Sequence, residues 1–191
     1  MWDELIARAQ KEKAFWRTIE ESGQRYDGAE SEFKDLRLSN TRHLSDILKR
    51  EIWPKISEYG EEVNGAAFSI ARASVQSPSE MKYFAEKISE SVSNGESKPI
   101  HLAAIKNCIS YYEDKPQTYG MLLEWKVGGE LYANVTNIDE ANIKRKALQL
   151  PPLQEAIKAH REELASNPGS QPNDIAAHNK MHRSWAKSVG W

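Results

Sequence analysis

The sequence predicts a mainly α fold: a compact helical domain of about six to seven helices with one β-hairpin near residues 121–136. Three observations carry this. Apolar residues recur at helical spacing along most of the chain, the period switches to strict alternation once, after Gly120, and Pro, Gly and Asn punctuate the changes.

In the first segment Trp2, Leu5, Ile6, Ala9, Phe15, Trp16 and Ile19 form a helical stripe, broken by charge at Glu12 and Lys13. Tyr26 to Asn40 is polar and reads as a connection. Asn40 or Thr41 is then a candidate cap for a helix carrying Leu44, Ile47, Leu48 and Ile52, which Pro54 ends. From Glu58 to Ser74 the stripe is Tyr59, Val63, Ala66, Ala67, Ile70 and Ala73, and its small residues suit a central helix that others approach closely. Ser77-Pro78 opens the next helix, with Met81, Phe84, Ile88 and Val92 on one face and a stop at Asn94-Gly95. Ser97-Lys98-Pro99 opens another, with Leu102, Ile105, Ile109 and Tyr112.

After Gly120, Leu123, Trp125 and Val127 alternate with polar residues, Gly128-Gly129 supplies a tight turn, and Leu131, Ala133 and Val135 alternate again. This predicts a hairpin with one apolar face. Helical pattern resumes at Ile138, Ala141 and Ile143, and again at Leu153, Ala156, Ile157 and Leu164 after Pro151-Pro152. Residues 1–166 are thus expected to form the helical domain with its hairpin, and 167–191 a linker followed by a C-terminal tail or short amphipathic helix. The main core is expected at Tyr59, Val63, Ile70, Phe84, Ile88, Leu102, Ile105 and Ile109.

The chain has 191 residues, enough for one domain, or one domain and a tail, to bury a core without staples. With 26 basic and 28 acidic side chains its net charge is −2, which gives no electrostatic footprint for nucleic acid. Cys108 has no second cysteine to pair with, in keeping with a reducing compartment. No basic leader precedes an apolar run at Met1-Trp2-Asp3-Glu4, and no apolar stretch approaches bilayer length, so the expected setting is cytoplasmic, away from membranes. No cofactor motif occurs.

Candidate site residues fall into three groups. Glu61 and Glu62 follow Gly60 at a helix start; the plain role is to complement the helix dipole, and the functional one is a general base beside Trp53. Gln117 and Tyr119 lie in a turn bracketed by Pro116 and Gly120, where they either set its geometry or bind a ligand. Gln117 is expected to bond main chain at the central helix start, with Tyr119 packed near Trp53. His178 and His182, four residues apart, share a helix face as metal ligands would, but lack the Glu of a zinc-protease motif. His43, His101 and His160 read as half-exposed, and Cys108 as a small core residue. In the tail, Trp185, Lys187 and Trp191 interleave aromatics with base, a pattern that fits packing back on the domain or binding a protein groove.

Taken in order, Asn40-Thr41, Trp53-Pro54, Gly60-Glu61-Glu62, Pro116-Gln117-Thr118-Tyr119-Gly120 and Leu150-Pro151-Pro152-Leu153 resemble an uncharacterised bacterial family, a domain of unknown function, over residues 38–157. The resemblance implies a shared fold but no established activity. Family members carry a His-Ala-Asp element late in the central helix, an Asp-Arg pair before the turn and Thr-Gln after Tyr-Gly. Here those places hold Ala73-Ser74-Val75, Asn107-Cys108 and Met121-Leu122, so the resemblance implies a divergent, repurposed member, with Arg72 beside the missing histidine.

Two functions from different classes follow. The first is a non-catalytic protein that binds a protein partner as an immunity, accessory or regulatory factor, through Trp53, Gln117, Tyr119, Trp185 and Trp191. The alternative is a small hydrolase or transferase using Glu61, Glu62 or Arg72 in a pocket with Trp53, Gln117 and Tyr119.

Overall fold

A computed structural model describes residues 1–21, 31–166 and 172–191. Among these it contains eight helices and one hairpin, in the order α1 (Trp2–Glu21), α2 (Ser31–Leu48), α3 (Ile56–Ala73), α4 (Pro78–Ser93), α5 (Pro99–Tyr112), β1 (Glu124–Trp125), β2 (Leu131–Tyr132), α6 (Ile138–Ala147), α7 (Leu153–Ala165) and α8 (Ile175–Val189). The mainly α class with a single hairpin is as expected. The single core is not, because the chain divides into two compact units within α5, between Ile105 and Lys106. The linker expected from 167 lies outside the described residues, apart from Pro172.

In the first unit, α3 packs against α1, α2 and α4, the central position its small residues suggested. Val63, Ala66, Ala67, Ile70 and Ala71 are buried along it, and Met81, Phe84, Ala85 and Ile88 meet them from α4. Of the expected core, Val63, Ile70, Phe84, Ile88 and Ile105 are fully buried, whereas Tyr59, Leu102 and Ile109 are half-buried. The α5 stripe is turned from its predicted phase, with Ala103, Ile105, Asn107 and Cys108 facing inward.

Polar residues cause the largest departures here. Glu12, read as an interruption of the α1 stripe, is part of it: it is buried with Leu5 and Ala9. Its carboxylate accepts from Arg37 Nε at 3.1 Å and Asn40 Nδ2 at 2.9 Å. Asn40 and Thr41 are not caps, since α2 starts at Ser31 and both lie buried in its interior. A polar side chain in a stripe mimics a helix start until its buried partner is known. Phe33 then stacks on Phe15 at 5.1 Å, with the Arg37 guanidinium 4.2 Å from the centroid of the Phe33 ring. At its far end α2 stops at Leu48, short of Pro54, so Ile52 is exposed instead of joining the buried face.

Two devices set the path from Trp53 into α3. Gly60 has φ 80 and ψ 171, a region open essentially to glycine alone, so residues 56–59 form one turn and the helix restarts at Glu61. Asn64, fully buried, donates through Nδ2 to the carbonyls of Pro54 (2.7 Å) and Glu96 (3.1 Å) and to Ser97 Oγ (2.7 Å). Glu96 in turn accepts from the Ser57 hydroxyl at 2.7 Å and the Ser57 N–H at 3.1 Å. Those bonds hold its carboxyl below the ordinary range and cap the first turn of α3 from another strand of chain.

In the second unit the hairpin is shorter than expected. Glu124 pairs with Tyr132 and Trp125 with Leu131, and Gly128 (φ 111) and Gly129 (φ 86) make the turn. Leu131 is buried but Val127 is 80% exposed, because the ladder ends before reaching it. On α6 the buried face is Ala141 and Arg145; of the predicted stripe Ala141 is buried, while Ile138 and Ile143 are exposed. The side chain of Asn137 caps α6 by accepting from the N–H groups of Asp139 and Glu140. The tail is an ordered helix: Asp174 caps the start of α8, and left-handed Gly190 (φ 100) closes its end with Trp191 N–H bonded to Ala186 O at 3.0 Å.

Replacing Asn64 by alanine removes its hydrogen bonds to Pro54 O, Glu96 O and Ser97 Oγ and is expected to cost about 2–4 kcal/mol in chemical denaturation. Gly60→Ala meets no atom within 4 Å, so its cost is backbone strain alone. The expected loss is about 1–3 kcal/mol, and an unchanged melting temperature would show that the turn relaxes freely.

Candidate functional site

The sequence-derived candidates are divided between the two units. Trp53, Glu61, Glu62 and Arg72 belong to the first unit, and Gln117, Tyr119, Trp185 and Trp191 to the second. Glu61 and Glu62 are exposed on α3, where Glu61 pairs with Lys98 at 2.6 Å, and Arg72 is exposed near the end of the same helix. Neither carboxylate has the desolvated setting that a general base needs. Trp53 is buried and lines a cavity of about 310 Å³ together with Ile52, Lys55, Lys87, Ser91 and Glu96. Neither Glu61 nor Glu62 lines it.

Gln117 and Tyr119 are builders of the second unit. Gln117 is buried, and its side-chain amide reads the main chain of Leu122 in both senses, donating to Leu122 O at 2.7 Å and accepting from Leu122 N–H at 2.9 Å. Its own N–H bonds Asn134 O at 2.7 Å. The expectation that it reaches the central helix start is therefore corrected: a side chain carrying both a donor and an acceptor closes its own loop more cheaply. Tyr119 N–H donates to Asn107 Oδ1 at 3.0 Å, and Tyr119 O accepts from Arg145 Nη1 at 2.8 Å. Gly120 (φ 60) leaves room for nothing larger, since a Cβ there would stand 3.0 Å from both Ala133 and Leu153.

The second unit does gather a site elsewhere. The end of α5, the hairpin and α8 enclose a cavity of about 120 Å³, lined by Tyr111, Tyr112, Glu113, Asp114, Glu124, Asn179, His182, Arg183, Ala186, Lys187 and Trp191. Tyr112 is its hub: Trp191 stacks on it at 5.4 Å, His182 leans on it at 5.4 Å, and Trp185 meets it edge-on at 5.7 Å. Charges complete the wall. Arg183 bonds Asp114 and stands 3.8 Å from Glu124, while Glu113 pairs with Lys115 at 2.8 Å. Burial raises the Glu124 carboxyl above its ordinary value, opposed by Arg183 and by the Tyr132 hydroxyl bonded to it at 3.3 Å. Asn179 Nδ2 ties α8 to the hairpin through Trp125 O at 2.8 Å.

His182 lies half-buried among these rings. Burial, with His178 and Arg183 beside it, lowers its pKa to about 4, and burial also lowers that of His178. Their rings are 6.4 Å apart, yet among the described residues no cluster of three or more His, Cys, Asp or Glu side chains could hold a metal. His43, His101 and His160 are half-exposed as expected, His101 stacking on Phe68 at 4.1 Å, and Cys108 is buried. Sequence reasoning found Trp185, Trp191 and the two histidines but missed Tyr111, Tyr112, Asp114 and Glu124. Tyr111-Tyr112 stands at a helix end followed by acidic residues, a signal visible only once α8 is known to return there.

The chain matches no protein-family model, no curated protein and no solved structure among those compared. Among the described residues no helix is long and apolar enough to cross a membrane.

Single substitutions separate builders from surface. Gln117→Ala removes both bonds to the part-buried main chain of Leu122 and is expected to cost about 1–3 kcal/mol in thermal or chemical unfolding. Glu61→Ala, which breaks only an exposed pair, should leave the melting temperature unchanged.

Proposed function

We propose that this is a non-catalytic cytoplasmic protein that binds a protein partner, in the manner of an immunity, accessory or regulatory factor, and that it recognises that partner at the cavity of the second unit. The observation that supports this reading most is the half-exposed ring cluster of Tyr112, Trp185 and Trp191 beside Arg183 and Lys187. Trp, Tyr and Arg are the side chains that dominate binding hot spots, since they present a large rigid area with a polar handle. A cavity of about 120 Å³ takes part of one partner side chain, and the surrounding charges orient it.

The alternative hydrolase or transferase draws less support. Gln117 spends its amide on Leu122, and Glu61 is engaged by Lys98 at the surface.

Affinity capture from native lysate tests the proposal, followed by titration of the purified partner. Lys187→Glu reverses a charge on the cavity wall without removing a buried contact, so it should weaken the partner's affinity at least tenfold while the melting temperature stays unchanged. A partner indifferent to Lys187→Glu and to Trp191→Ala, or no stoichiometric partner at all, would reject this site.

A further inference from the structure

α8 is held by rings and charges more than by aliphatic burial. Along its length only Ala186 is fully buried, so little apolar area fixes it in place. Its attachment rests on the rings of His182, Trp185 and neighbouring Trp191 against Tyr111 and Tyr112, on Arg183 against Asp114 and Glu124, and on the Asn179 bond to Trp125 O. His182 is central to this attachment, with Tyr111 at 5.2 Å, Tyr112 at 5.4 Å and Trp185 at 6.0 Å. Among the described residues no carboxylate forms an ion pair with it.

We propose that α8 is an acid-released strap: protonating His182 within its ring cluster lifts α8 from the end of α5 and the hairpin, dismantling the cavity to which α8 supplies Asn179, His182, Arg183, Ala186 and Lys187.

The sign follows from the groups around the ring. On α8 itself His178, Arg183 and Lys187 are bases, and Arg183 and His178 both disfavour a second positive charge at His182. From the end of α5 come Tyr111, Tyr112, Glu113 and Asp114, the two carboxylates already engaged by Lys115 and Arg183; from the hairpin come Glu124 and Tyr132. Docked, His182 titrates near about 4, against 6.5 for a free imidazole, so the released helix binds the proton more tightly and docking weakens as pH falls from 6.5 towards 4. His178, lowered by burial, acts in the same direction. Glu124 acts against it, because its raised pKa lets the docked state take up a proton, and Arg183 opposes that rise.

The released-to-docked ratio should therefore rise roughly tenfold per pH unit between about 6 and 4, one proton per helix. A pH titration of the full chain by NMR reads this directly, following the His182 ring C–H signals and the main-chain amides with no partner present. The α8 amides should shift together with His182 while those of α6 and α7 hold. His182→Phe keeps an aromatic ring without the charge and should lower the pH of α8 release by at least about one unit; His182→Gln serves the same comparison if the phenylalanine variant does not fold. Loss of α8, α6 and α7 signals at one common pH, or identical release in wild type and variant, overturns the strap. Because no ligand is used, the outcome is independent of whether the cavity binds a protein.

Discussion

A helical chain that reverses direction often must hydrogen-bond the main-chain groups it buries at each reversal, and water cannot do so in a packed interior. In this protein side chains with fixed polar geometry take that role. Asn64 joins the segment around Pro54 to the turn at Glu96 and Ser97, so the approach to α3 and the α4–α5 connection are held by one carboxamide. Gln117 does the equivalent for the loop to Leu122, and Asn107 and Arg145 secure Tyr119 and Pro151. The helices supply apolar area; these residues decide which turn meets which.

Arg145 shows how far this goes. Its guanidinium is buried and bonded to the carbonyl oxygens of Pro151 at 2.7 Å and Tyr119 at 2.8 Å, and among the described residues no carboxylate pairs with it. Burial accordingly lowers its pKa. Carbonyl dipoles converging from two loops offset the desolvation, and the planar fork reaches both at once where an ammonium could not. Buried Glu12 and Asn40, with half-buried Arg37, solve the same problem in the first unit with an ion pair and an amide.

The proposed site draws on a different economy. Around Tyr112 the contacts are ring against ring and charge against charge at half-exposed positions, so the surface is polar enough to stay in water and aromatic enough to grip. Such an attachment responds to protonation in a way that an aliphatic core does not, and that links the packing of α8 to the chemistry of the cavity it completes.

The mainly α class, the single hairpin, the proline at the start of α4, the central place of α3 and the turn residues Gly60, Gly120, Gly128 and Gly129 could all be read from the sequence, because apolar periodicity and backbone freedom are local properties. The start of α2 and the phase of α6 could not, since Asn40 and Arg145 are polar residues that only their buried partners admit to an interior. The tail illustrates the division. Its composition was enough to mark Trp185, Trp191 and the histidine pair, all on one amphipathic segment. Only the tertiary structure decided that these side chains meet Tyr111, Tyr112 and Asp114, because residues some seventy positions apart become neighbours only when the chain folds back and buries their rings together.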